Sequence, residues 1–278
     1  MVNHQKRDAK KMITKPDLAG VAETLLLPLY IRARESRRPD AIVKDPFVEQ
    51  LIDRLDHDFS SYKFDKEDEV AIILRNRQFD RYTQDFLARR AEAVVVHLGC
   101  GLDNRFKRVD DGRVEWYDLD LPEVIELRRQ LLDCEQPRYH LLSCSMLAEE
   151  WQEALTELLP RPFLFLAEGV FMYFPESQIR QLVLSLLKRF TGAELVFDGF
   201  SKLVVWANNR MLGRTKIRAR YEFALTNGKD LESWGEGIRL VDEWRYFDCE
   251  EPRLDHIRWV RHIPPLAKSS GIFHYQLG

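Results

Sequence analysis

Cysteine is scarce in this chain: four among 278 residues, at Cys100, Cys134, Cys144 and Cys249, with no CxxC or His-x-Cys spacing. That is too few to staple a chain of this length and supplies no metal-ligand pattern, so a reducing, cytoplasmic setting and no metal are expected. Long apolar runs are missing as well. The most apolar stretch, PFLFLAEGVFMYF, is split by Glu168 and falls short of the roughly 18 to 20 residues of a membrane helix, so no membrane partner is expected. Residues 1–20 are basic and polar without the apolar centre of a secretory signal; they read as a frayed tail or as a lid that orders on ligand binding. A surplus of positive charge is absent too, the net charge being −3, which removes the general attraction a nucleic-acid partner requires. Arg214, Lys216, Arg218 and Arg220 alternate and read as a solvated basic edge or, alternatively, as an edge that binds anions.

What the chain does have is enough apolar content, 45% of residues, for one large core with additions. Residues 21–35 and 48–55 read as helices separated by a proline-containing break. In 66–90, Val70, Ile73 and Leu74, then Phe79, Tyr82 and Phe86, recur at spacings of three and four, which predicts an amphipathic lead-in helix. From AVVVHLG to AELVFDG, strand and helix patterns alternate, and alternation of this kind argues for a parallel sheet with helices on both faces. Pro122, and Pro175 followed by Glu176, mark helix starts. The expected division is an N-terminal helical lid and lead-in helix, residues 1–90, and a core, 91–278, with insertions in 200–265. Beyond Gly199 the pattern loosens: 202–212 reads as a helix, 221–225 as a strand, 230–235 as a short helix, and 238–247 and 272–278 as strands.

In an open parallel sheet, ligands sit beyond the carboxyl ends of the strands, which makes the residues just after each strand the candidates. Gly99 and Gly101, flanking Cys100, permit close backbone approach. The third position of a dinucleotide fingerprint holds Asn104, and no Gly-Lys-Ser/Thr follows, so the phosphate-clasping versions fit poorly. Asp120 ends the second strand, where a carboxylate can accept from both hydroxyls of a ribose; capping the helix that begins at Pro122 is the alternative, and Asp118 could share either role. Glu168 interrupts an apolar strand and must meet a cation, a donor or a ligand, since an unpaired buried carboxylate is costly. Arg75, on the lead-in helix, could clamp a ligand carboxylate through two hydrogen bonds. Ser145 and Met146 follow the third strand.

Taken together, RNRQFDRY, VVVHLGCGLDNRF, WYDLDLPEVIELRRQLL and FLAEGVFMYFPESQIRQL resemble the leucine carboxyl methyltransferase superfamily, in particular its bacterial branch of polyketide-type O-methyltransferases, over roughly residues 20–200. The resemblance implies an α/β class I methyltransferase fold, Rossmann-like, with a mostly parallel seven-stranded sheet, and S-adenosylmethionine (SAM) as cofactor. It implies that Arg75 and the loop Gly99–Cys100–Gly101 hold the methionine part, Asp120 binds the ribose, Ser145 and Met146 flank the adenine, and Glu168 lies beside the methionine ammonium. Family members commonly carry an acid within the 145–148 stretch and threonine at 104; this chain has SMLA and Asn104.

A carboxylate acceptor of a methyl group needs no base, whereas a hydroxyl acceptor needs proton removal, for which His97, His140 and Tyr173 are candidates. Tyr173 is the stronger candidate on the substrate side. The expected activity is methyl transfer from SAM to an oxygen of a small, polyketide-like molecule. A nicotinamide-dependent oxidoreductase and a catalytically silent SAM-binding protein are the alternatives.

Overall fold

The computed structural model describes residues 25–278 apart from 56, 60, 61, 63, 64, 133–135 and 213–219. The expected tail or lid at 1–20, Cys134, and the basic positions Arg214, Lys216 and Arg218 therefore lie outside the described residues. Three helices come first: α1 (Leu26–Ser36), α2 (Pro46–Ile52) and α3 (Lys66–Arg89). The alternating part follows as β1 (Val94–Leu98), α4 (Arg105–Val109), β2 (Glu115–Asp120), α5 (Pro122–Leu131), β3 (Tyr139–Ser143), α6 (Glu150–Leu155), β4 (Phe163–Ala167), α7 (Glu176–Arg189) and β5 (Ala193–Phe200). The chain ends in α8 (Lys202–Leu212), β6 (Ile238–Arg245), α9 (Pro264–Ala267) and β7 (Ser270–Leu277).

The strands form one seven-stranded sheet in the order β3-β2-β1-β4-β5-β7-β6. Neighbours from β3 to β5 pair in parallel, and β7 runs antiparallel to both β5 and β6. β1 and β4 are buried along their whole length, which is why their sequences read as continuous apolar runs rather than alternating ones. Side chains of β1 alternate between two cores: Val94, Val96 and Leu98 join the cluster with Ile179, Val183 and Leu186 of α7, while Val95 joins the one with Phe79, Tyr82 and Phe86 of α3. Each such fully buried apolar side chain contributes about 1.5 to 3 kcal/mol. A third cluster packs α1 and α2 against α5, through Leu29, Val48, Leu51, Val124 and Leu127.

Two readings need correction. Residues 221–225 are not a strand: their backbone clamps the end of β5 instead, Leu225 N donating to Phe200 O (2.8 Å) and Glu222 N to Met172 O (2.7 Å). The short helix expected at 230–235 is a 3-10 segment over Gly228–Trp234. A longer 3-10 segment, Pro252–His262, had no sequence pattern to announce it. Among the described residues no helix is long and apolar enough to cross a membrane.

Because β2 and β3 lie on one side of β1 while β4 and β5 lie on the other, chain direction across the sheet reverses between β1 and β4. Such a reversal leaves a crevice beyond the carboxyl ends of those two strands, uncovered by the crossing helices.

Candidate functional site

The crevice is a cavity of about 580 Å³. Its floor is the turn after β1, where Gly99 (φ +65°) and Gly101 (φ +52°) adopt left-handed backbone. A Cβ on Gly99 would lie 2.7 Å from Val170 Cγ2, and one on Gly101 would lie 2.9 Å from Leu25 Cδ2, so conformation and space both demand glycine. The turn is fixed by Gly99 N and Cys100 N, which donate to Leu119 O at 2.8 and 3.1 Å. Arg75 on α3, Glu168 and Gly169 after β4, Tyr173, and Leu27 and Pro28 of α1 complete the walls.

Arg75 and Glu168, read separately from the sequence, are each other's partner. Arg75 Nε donates to Glu168 Oε1 and Nη1 donates to Asp198 Oδ2, both at 3.0 Å, which leaves Nη2 without a partner among the described residues. Gly169 is what clears the space before that nitrogen, since a Cβ there would stand 3.4 Å from Nη2. Glu168 Oε2 accepts from Arg105 Nη2 at 2.5 Å. Burial alone would push the Glu168 carboxyl up, but Arg105 and Arg75 outweigh it and hold it below the ordinary range. Arg105 and Arg108 extend the network through Asp80 and Asp103, and Arg32 joins it at Asp45 and Asp103.

Asp120, Ser145 and Met146 stand outside this cavity, on the neighbouring ends of β2 and β3. Asp120 does not cap α5, whose N-cap position is Leu121 with no side-chain cap. Its carboxylate accepts from Gly101 N and Leu121 N, each at 2.7 Å, and so ties the glycine turn to β2. Burial raises this carboxyl and the two N–H groups offset part of the effect. Each oxygen keeps a lone pair for a further donor. Ser145 Oγ accepts from Leu147 N at 3.2 Å, and Met146 is buried with its carbonyl held by Trp151 Nε1 at 3.1 Å. Leu121, immediately after Asp120, is 42% exposed.

Asp118 is corrected. It is 1% exposed, its Oδ1 accepts from Trp116 Nε1 at 2.8 Å, and its Oδ2 accepts from both Arg128 and Tyr139. Nothing of it reaches the cavity; it holds Arg128, which in turn donates to the carbonyls of Gly101 and Asp103 at 2.7 and 2.9 Å. It braces the glycine turn from behind.

The far wall of the cavity is aromatic. Tyr173 packs edge-on against Tyr221 (5.2 Å), and Tyr221 stacks on Phe200 (5.7 Å, 1°). Tyr246 also lines it, and burial raises the hydroxyls of Tyr221 and Tyr246 above the ordinary phenol range, so both stay protonated donors. Neither Tyr221 nor Tyr246 was singled out from sequence, because both follow chain with no strand-helix alternation to place them. Of the histidines, His97 lines the cavity at the end of β1, while His140 pairs with Glu115 and stacks on Tyr117 away from it.

Residues 26–186 match the family model described as leucine carboxyl methyltransferase. A tetracenomycin polyketide synthesis O-methyltransferase of Streptomyces glaucescens is 33% identical over 93% of this chain and 97% of its own length. An S-adenosyl-L-methionine-dependent methyltransferase of Gibberella zeae is 27% identical over 88% of this chain and 89% of its own. Among solved structures, a candidate methyltransferase from Thermobifida fusca superposes with a TM-score of 0.59 at 13% identity, covering 97% of this chain and 96% of that one, which supports the fold.

Proposed function

The chain belongs to the leucine carboxyl methyltransferase family, and from that premise we propose that it is an O-methyltransferase acting on a small, polyketide-like molecule. S-adenosylmethionine is its cofactor, and the class I fold is the family's. The residues present fit that cofactor. The unpartnered Arg75 Nη2 suits a carboxylate and Glu168 an ammonium, and the turn Gly99–Cys100–Gly101 lines the cavity beside them. Asp120 has acceptor capacity for two ribose hydroxyls, and Leu121, Ser145 and Met146, on the neighbouring ends of β2 and β3, are the residues assigned to the adenine.

Bound SAM supplies a methyl group activated by its sulfonium. The protein's part is placement: Arg75, Glu168 and the glycine turn fix the donor, and Tyr173, Tyr221 and Phe200 hold an aromatic acceptor against it, positioning that can supply much of the rate enhancement. α1, with Leu27 and Pro28 on the cavity, serves as part of the lid that excludes water. The single observation that carries this reading is a cavity bounded by a free guanidinium nitrogen and a glycine turn on one side and by tyrosines on the other.

The test is incubation with SAM bearing a trideuterated methyl and a panel of aromatic polyketide-like acids and phenols, read by mass spectrometry. Label on oxygen is expected. Transfer to nitrogen or carbon alone, or no transfer across the panel, overturns the proposal.

A further inference from the structure

The ion network around Arg75 is unbalanced. Arg32, Arg75, Arg105 and Arg108 face Asp45, Asp80, Asp103, Glu168 and Asp198, and among the described residues no other ion pair joins them. Guanidinium groups keep their charge at any working pH. Among the described residues one negative charge is therefore left over, inside the protein, where it is costly.

The surplus falls on Asp198. It is 1% exposed, shares Arg75 with Glu168, and has as its other partner Gly169 N, donating to Oδ1 at 2.6 Å. Burial pushes its carboxyl up and Arg75 offsets only part of that, whereas Asp80 and Asp103 lie below their ordinary range despite burial, because the arginines outweigh it. The charged side chains that line the cavity outside the network, Glu67 and Asp68 on the first turn of α3, add acid rather than compensate.

We propose that Asp198 is a specificity-determining residue: through the charge it leaves uncompensated, the site selects an occupant carrying one net positive charge. The proposal rests on the SAM reading above. SAM, with a sulfonium, an ammonium and a carboxylate, carries that charge; S-adenosylhomocysteine, a neutral zwitterion, does not. Transfer breaks the sulfur–methyl bond, leaves its electron pair on sulfur, and forms a carbon–oxygen bond to the acceptor, whose proton, in a hydroxyl acceptor, passes to water. The charge on the bound cofactor thus drops by one as the reaction completes, and the product cofactor is left against an uncompensated carboxylate that favours its release.

Calorimetric titration measures this with three ligands: SAM, S-adenosylhomocysteine, and sinefungin, which carries a protonated amine in place of the sulfonium. In the wild-type chain, SAM and sinefungin should bind at least about tenfold more tightly than S-adenosylhomocysteine, the order expected for one unit charge at cavity distances. Asp198→Asn should bring the three to within about threefold. Asp80→Asn removes the same surplus at another acid of the network, and serves as the second variant should the first fail to fold, as checked by thermal melting. Equal wild-type affinities, or a preference that persists in the folded variants, overturns the proposal while leaving SAM binding intact. Absence of binding by all three ligands overturns the cofactor reading itself.

Discussion

The ion cluster around Asp118 and the one around Arg75 are built from the same residue types and end in opposite chemistry. In the first, one carboxylate meets one guanidinium, with Trp116 and Tyr139 taking up further hydrogen bonds, and its two charged members are 1% and 0% exposed. In the second, acids outnumber arginines, a guanidinium nitrogen is free, and the cluster borders a cavity. A charge-balanced cluster buried away from the cavity has nothing to offer a ligand and acts as a brace. An unbalanced one with a free donor is incomplete until something binds.

The largest effect should come from breaking the balanced cluster. Asp118→Asn leaves Arg128 buried with its charge uncompensated, and urea unfolding should report a loss of about 3 to 5 kcal/mol. Glu168→Gln, by contrast, takes an acid from the cluster that has one too many, so its stability loss should be distinctly smaller. A Glu168→Gln loss as large as that of Asp118→Asn would erase the distinction.

A third buried acid extends the comparison to the far half of the sheet. Glu194 on β5 meets His274 and Arg89, and although burial alone would raise its carboxyl, these partners bring it down to about 2. Its folded value is below its unfolded one, so the stabilisation is complete above about pH 4.5 and is lost as pH falls from there toward 2. The shift corresponds to about 3 kcal/mol. Acid unfolding of wild type and Glu194→Gln should show the variant less stable near neutral pH and the two converging near pH 2. Parallel curves across that range would contradict the assignment.

Smaller effects are expected at the ligand. Glu168→Gln and Asp120→Ala should each weaken SAM by about 1.5 to 3 kcal/mol, as charge-assisted hydrogen bonds do, measured by calorimetry on folded protein. Asp118→Asn, measured on its folded fraction, should retain SAM affinity more nearly than either, because Asp118 reaches the ligand only through Arg128. Unchanged affinity in both Glu168→Gln and Asp120→Ala would move the cofactor elsewhere.

Much of this was legible in the chain. Alternating apolar runs and helix periods placed β1 to β5 and α3 to α7, because each pattern reports burial that the parallel sheet enforces locally. Glu168 stood out as an acid inside an apolar strand, and the same signal stands in AELVFDG at Asp198, where it was not taken up. Asp118 misled because a strand-end acid looks alike whether it turns toward a ligand or back toward Arg128; the partner is ten residues on, and only the packing of α5 shows which way it faces. Tyr221 and Tyr246 were illegible for a different reason. Tyr221 comes from backbone held by the Asn209 side chain and Tyr246 from a 3-10 turn, and neither carries a period.

Hydrogen exchange with and without saturating SAM locates the cofactor most directly. Slower exchange is predicted at the amides of 99–102, at Leu121 and across 169–172, with no change at Glu194 or His274. Protection confined instead to the opposite end of the sheet, around Arg90, Arg161 and Arg189, or no protection anywhere in folded protein, would contradict the account.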